Sequence, residues 1–144
     1  MLCLTFKCGN NEYAINSKEI IEVIPLIRLH SLPKTTKQFV GYINYKSEPI
    51  PVIDLSVFFG YLPAELLMST RIMILNFERA DGSEILFGVL VESISDIENF
   101  DEKEIKQPDI NVEKHPLIHK IIVKKNRTIN LITFRSLKTL QLET

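Results

Sequence analysis

Alternation of apolar and polar positions runs through most of the chain. In LCLTFKC (residues 2–8), Leu2, Leu4, Phe6 and Cys8 fall on one face of a strand. The Gly-Asn-Asn of residues 9–11 supplies turn chemistry before EYAI resumes the pattern, which predicts a hairpin opening. Residues 17–29, SKEIIEVIPLIRL, are rich in β-branched side chains, and Pro25 argues against a continuous helix. Residues 31–39, SLPKTTKQF, are polar and proline-marked, an exposed loop. RIMILNF (71–77) is apolar on both faces, as a central strand is, and the Asp-Gly of residues 81–82 marks a turn. Residues 85–97 form a further long strand system, in which Gly88 marks a bend or a close approach. Residues 118–134 read as a hairpin turning around Lys125 and Asn126, followed by a closing helix or tail over 135–142.

One stretch breaks the alternation. GYINYKSEPIPVIDL (41–55) holds Pro49 and Pro51 two apart in an otherwise β-type run. Successive strand residues direct their N–H groups to opposite edges, so both prolines blank the same edge. This predicts an edge strand or a bulged barrel strand with a blunted rim. Asp54 then fits a helix N-cap, and Gly60 the residue just past that helix.

Eight to ten short strands result, with helix expected near 54–60, 62–68 and the C-terminus. Such a series with regular turns points to a sandwich or barrels. The best internal division falls around residues 61–70. At 144 residues, the chain is one domain or two small subdomains sharing an interface. A chain of this length buries roughly 68–70% of its unfolded surface, enough for a core without staples. Net charge is −1, so global electrostatics favour neither nucleic acid nor an anionic membrane. No long apolar run and no signal-peptide pattern is visible, so a cytoplasmic location is expected.

Catalytic and metal-binding signatures are missing. There is no Gly-rich phosphate loop, CxxC pair, G-x-S-x-G elbow or HExxH. Cys3 and Cys8 sit on opposite faces of one strand and cannot bridge there; they read as small buried thiols. His115 and His119 are four apart, but Pro116 breaks the helix that such a pair needs to bind a metal. Charge is uneven. Residues 92–104 hold six acids and one lysine, whereas 114–138 hold seven bases and no acid. Neighbouring elements that compensate each other explain this, and a partner-facing patch is the sharper alternative.

The segment VGYINYKSEPIPVIDL (40–55) resembles the signature of the CheW-like family, coupling proteins of bacterial chemotaxis, of the type V-x-G-x-I-N-L-R-G-x-x-x-P-V-I-D-L. Its flanks agree in order: LTFKCGNNEYAI with the first hairpin, IIEVIP with an E-V-I element, RIMIL…FGVLVESISDI with a later I-x-G-x-x-V-D-x-V portion, and INLITFRSL with the last strand. The likeness spans about residues 2–138. Lys46 and Ser47 stand where the pattern has Arg-Gly; a lysine lacks the planar bidentate fork of a guanidinium, and a serine resists the positive φ that glycine takes freely. LITF also lacks the usual acidic residue.

The resemblance implies a mostly β fold of two intertwined five-stranded SH3-like barrels around a shared apolar seam, the first over roughly 10–62 and the second over roughly 63–138 with help from the N-terminal strand. It also implies a non-enzymatic adaptor without cofactor or metal. The partners implied are the regulatory domain of a chemotaxis histidine kinase and the cytoplasmic tip of chemoreceptors, with recruitment to receptor arrays. The kinase-facing candidates are Phe39, Val40, Tyr42, Asn44, Lys46 and Ile50. The receptor-facing candidates are Ile21, Val23, Ile24, Val91 and Ile94. Pro49, Pro51, Asp54, Leu55 and Gly60 shape the structure behind them. The alternative is a small-barrel nucleic-acid binder using the basic strip 114–138, against which near-neutral charge and few aromatics count. The expected core comprises Leu4, Phe6, Ile15, Val23, Val52, Ile53, Ile74, Phe87, Val89, Val91, Ile122 and Leu131.

Overall fold

The computed structural model of the chain describes residues 1–30, 39–79, 81–108 and 117–135. Residues 31–38 of the expected loop, His115, the side chain of His119 and the expected C-terminal element from 136 onward lie outside them. The described chain is mostly β. Eleven strands follow in order: β1 (Leu2–Cys8), β2 (Asn11–Asn16), β3 (Ile20–Pro25), β4 (Phe39–Tyr45), β5 (Glu48–Asp54), β6 (Arg71–Glu78), β7 (Glu84–Val91), β8 (Ser93–Asn99), β9 (Ile105–Lys106), β10 (Ile118–Lys124) and β11 (Arg127–Ile132). One short helix, α1 (Leu55–Phe58), follows β5.

These strands form two sheets, one of five strands in the order β3-β6-β7-β5-β4 and one of six in the order β8-β1-β2-β11-β10-β9. The expected five and five becomes five and six through the two-residue β9. The division of the chain also differs from the one expected near residue 62. Residues 20–91 build one sheet, and the N-terminal hairpin joins residues 93–132 in the other. Two pairs are parallel, β2 with β11 and β5 with β7. A backbone bridge between His30 and Tyr42 links the run after β3 to β4, so the two edges of the five-stranded sheet meet.

Three apolar clusters fill the molecule. The largest lies between the sheets and draws Leu4, Phe6 and Cys8 from β1, Met73, Leu75 and Phe77 from β6, and Phe87, Val89 and Val91 from β7. This is the expected shared seam. A second cluster joins Ile43, Ile50, Val52, Ile72, Ile74 and Leu90. A third joins Cys3, Ala14, Phe100, Ile122, Ile129 and Leu131. Strand β1 is thus buried on both faces, with Cys8 in the seam and Cys3 in the third cluster, as their odd spacing requires. Burial pushes both thiols up to about 11, so neither is a thiolate at neutral pH. Gly88 is the expected close approach: a Cβ there would stand 2.8 Å from Ile72 Cγ2.

Two expectations need correction. Val23, expected in the core, is 37% exposed because β3 is an edge strand. Residues 62–68 form no helix. The Ala64 N–H donates to Asp54 and the Leu67 N–H to Thr70 Oγ1, so side chains take amides that a helix would pair internally.

Candidate functional site

The signature segment folds into the β4–β5 hairpin, whose register pairs Tyr42 with Pro51, Ile43 with Ile50, and Asn44 with Pro49. Ile43 and Ile50 point into the second cluster, which leaves Tyr42, Asn44, Pro49 and Pro51 on the outer face. His30 stacks on the Tyr42 ring at 4.9 Å. Lys46 and Ser47 form the two-residue turn with φ of 49° and 69°, both in the left-handed region that twist-matched hairpin turns need. The Lys46 ammonium lies 5.4 Å from the Tyr45 ring centre. The Tyr45 hydroxyl donates to the Glu22 carboxylate, which raises the tyrosine pKa and ties the hairpin to β3.

The prolines occupy a different place from the one expected. Strand β5 is interior, between β4 and β7. Its ladder to β7 covers only Val52, Ile53 and Asp54, past both prolines. The blunted rim is therefore half a strand long, since the pairing begins where the missing donors end. The bulge lies in β4, at Val40.

Behind the hairpin, Asp54 is a buried N-cap whose Oδ1 accepts from the Ser56 N–H at 3.0 Å and whose Oδ2 accepts from the Ala64 N–H at 2.9 Å. Burial raises its pKa. At the other end of α1, Gly60 takes φ 84°, its N–H donates to Val57 O, and the Tyr61 N–H donates to Ser56 O. That double bond pattern is a Schellman ending.

A second face runs along the seam. Val23 pairs with Met73 and so stands on the face that covers the shared cluster, while Ile21 is the extra residue of a bulge. Both are exposed. On the facing sheet, Ile97 pairs with Leu4 and Ile94 with Phe6, which places both on the seam side of β8. Leu2 shares the face of Leu4 and is exposed, as is Ile97.

A family model described as CheW-like domain matches residues 2–139. The chain belongs to the CheW-like family. It is 26% identical over 131 residues to the chemotaxis protein CheW of Bacillus subtilis, covering 90% of this chain and 81% of that protein. It is also 26% identical over 94 residues to a probable chemotaxis protein CheW of Rhizobium etli. That match covers 65% of this chain and 57% of the Rhizobium protein, so it spans less than two thirds of that relative. The crystal structure of the scaffolding protein TtCheW from Thermoanaerobacter tengcongensis superposes with a TM-score of 0.79 at 24% identity, over 93% of this chain and 89% of that one. That likeness establishes the fold.

Within this CheW-like framework, the residues singled out from the sequence separate by burial. Asn44 and Lys46 are exposed, and Val40 and Tyr42 are half-buried on the hairpin. Ile50, only 3% exposed, is turned inward with Ile43 by alternation, and Phe39, which pairs with Ile53 beyond the bulge, is also a core side chain. They are corrected from contact to packing residues. Val91 is 1% exposed within the shared cluster and receives the same correction. Ile24 is half-buried against the second cluster and Ile94 against the first. Leu55 is fully buried beneath the cap.

Sequence reasoning missed Leu2 and Ile97. Alternation assigned Leu2 to the core side correctly, but carries no signal for where the opposing sheet stops. It also missed His30, which becomes part of the hairpin face through one backbone bridge.

The basic strip fares differently from a nucleic-acid surface. Arg127 donates to Glu98 through both terminal nitrogens at 2.8 Å and to Glu12 at 2.6 Å. These bonds lower the Glu98 pKa and raise that of the arginine. The acidic and basic stretches therefore compensate each other at this point. Among the described residues, no group of three or more His, Cys, Asp or Glu side chains could hold a metal ion. No described helix is long and apolar enough to cross a membrane.

Proposed function

We propose that this chain is a non-enzymatic coupling adaptor of bacterial chemotaxis, recruited from the cytoplasm to receptor arrays. It holds the regulatory domain of a histidine kinase on the outer face of the β4–β5 hairpin, and the cytoplasmic tip of chemoreceptors along the seam. Membership of the CheW-like family and relatives named as chemotaxis proteins support this reading. The observation that carries it is the presence of two separate faces on one rigid frame. One is aromatic, proline-rich and tipped by a cation, and is formed by His30, Tyr42, Asn44, Lys46, Pro49 and Pro51. The other is aliphatic, with Ile21, Val23, Leu2 and Ile97 exposed and Ile94 half-buried. A coupler needs both at once, since its effect lies in holding two partners at a fixed separation.

Aromatic anchors carry most interface energy, and rim charges set association rate. Tyr42→Ala should weaken kinase binding by about 1 kcal/mol or more. Lys46→Ala should mainly slow association and reduce its salt dependence. A combined Val23→Ser and Ile97→Ser change should lower receptor affinity and spare the kinase. The assay is calorimetric titration of the purified chain with the regulatory domain of the kinase encoded beside it, and separately with the receptor tip. Unchanged kinase affinity in folded Tyr42→Ala would sink the hairpin assignment. Absence of binding to either partner would sink the adaptor reading.

A further inference from the structure

The run between α1 and β6 has no regular structure, yet it is pinned along its length. The Ala64 N–H donates to Asp54, the Leu67 N–H to Thr70 Oγ1, and the Thr70 N–H to Leu67 O. Thr70 Oγ1 donates to Glu65 O at 2.9 Å and Ser69 Oγ to Glu92 O at 3.3 Å. This ordered loop turns four large apolar side chains outward: Leu62 at 85% exposure, Met68 at 96%, and Leu66 and Leu67 between half and two-thirds exposed. An exposed apolar surface of this kind marks an interaction site. Pre-ordering the loop removes part of the entropy cost of using it.

Charge says what the partner carries. Leu62 and Leu67 line a groove of about 570 Å³ together with Tyr61, Pro63 and two carboxylates, Glu65 and Glu92, and no basic residue lines it. Arg71 lies against the loop, but its Nη1 donates to Met68 O at 2.6 Å and Thr70 O at 2.9 Å. Lys7 of β1 stands opposite Ser93 and stays outside the lining. Glu92 accepts from Ser56 Oγ at 3.2 Å, and its charge is still felt inward: burial first, and then Glu92, raises the Asp54 pKa. The loop offers no strand edge, since its amides at Ala64, Leu67 and Thr70 are already taken. A partner must engage it with side chains, and a helix sets aliphatic and basic side chains next to each other at i, i+3 and i+4.

We infer that this loop is a docking site for a basic amphipathic helix of another protein, whose aliphatic side chains cover Leu62, Leu67 and Met68 and whose lysine or arginine enters the groove between Glu65 and Glu92. A cation there gains charge-assisted bonds to the two carboxylates. The same carboxylates repel an acidic helix or an anionic membrane. None of these residues is assigned above to kinase or receptor, so this inference stands independently of the adaptor reading.

The probe is a fluorescent synthetic helix of about 18 residues, leucine on one face and lysine on the other, long enough to be helical alone. Anisotropy titration with the full chain should show saturable binding in the micromolar range that weakens with added salt. The same helix with glutamate in place of lysine should not bind. Glu65→Lys should weaken binding at least about tenfold, and so should Leu67→Ser together with Met68→Ser, the thermal transition staying in place in both. Glu92→Gln keeps an acceptor for Ser56 and loses the charge, so it should weaken binding as well. Glu84→Lys makes the same change of net charge as Glu65→Lys on an exposed residue at the far end of β7, and should bind like wild type. A wild-type chain that does not bind the leucine–lysine helix, or binds both helices equally, overturns the inference. So does unchanged affinity in Glu65→Lys or in the serine pair, or an equal loss in Glu84→Lys, which would reduce the contact to net-charge attraction. Should wild type ignore the peptide and instead co-sediment with phosphatidylcholine vesicles, or self-associate until the serine pair is introduced, lipid or a second copy covers the loop and the helix is excluded.

Discussion

Replacing Asp54 by alanine tests the frame on which the hairpin rests. The carboxylate makes two contacts of different kinds: Oδ1 caps α1 at the Ser56 N–H, and Oδ2 fastens the following loop at the Ala64 N–H. Loss of a cap costs about 0.5–2 kcal/mol. Leaving the second, partly buried amide without an acceptor adds about 1–2 kcal/mol. Against this, the variant no longer has to desolvate a carboxylate, the cost recorded in the raised pKa of Asp54. The balance is a loss of about 2–3 kcal/mol, more than an exposed cap would give. Asp54→Asn separates the two arms. Its amide oxygen can still cap Ser56, whereas its amide nitrogen meets the Ala64 N–H donor to donor, so it should fall between wild type and alanine. Urea unfolding reads the change as a lowered midpoint at unchanged slope. A raised folded-state pKa favours the folded chain most fully below the unfolded value of 3.8, and that contribution fades as pH rises through the folded value. The advantage of wild type over Asp54→Asn should therefore shrink with rising pH across that window. An alanine variant within about 0.5 kcal/mol of wild type would refute the reasoning as a whole. An asparagine variant equal to wild type would show that the arm to Ala64 carries no energy.

Two further outcomes follow from the geometry. Ser47→Gly should stabilise the chain by about 1 kcal/mol in thermal unfolding, because a serine at φ 69° occupies left-handed backbone that glycine adopts freely; a destabilised variant would mean that the turn has another shape. Glu98 has its pKa lowered by Arg127, so its contribution is present above the unfolded value of 4.5 and is lost as pH falls through the depressed folded value. Arg127→Ala should flatten the acid side of the stability curve, by about 1 kcal/mol or less because the pair is partly exposed, and an unchanged acid limb would remove the pair from the account.

The elements legible in the sequence are those whose burial follows a local period. Leu4, Phe6 and Cys8 announce β1, Gly9 its turn, and Asp54 and Gly60 the two ends of α1. What escaped depends on partners distant in the chain. Nothing local to Val23 says that β3 lies at a sheet edge. Nothing local to Ile50 says that the exposed hairpin has one inward face, although strict alternation from Tyr42 and Asn44 through the turn would have indicated it. The LPAELLM run has helical composition, and its amides are diverted by Asp54, ten residues before Ala64, and by Thr70. The interior position of β5 is set by its parallel pairing with β7, more than thirty residues away. The charge asymmetry was visible, whereas its partial resolution through Arg127 required the fold.

The division of the strands between the sheets also sets an order in time. Residues 20–91 can complete the five-stranded sheet once the ribosome has released them, since all its pairings lie within that span. The first sixteen residues cannot finish theirs. Their parallel partner β11 is made more than a hundred residues later, and contacts of such long range form slowly. Until then the apolar side chains of β1 and β2 lack half of their covering and are the part of the nascent chain most open to mispairing. The β1–β2 hairpin is therefore made long before the strand that completes its sheet and is buried last, when β11 pairs with β2.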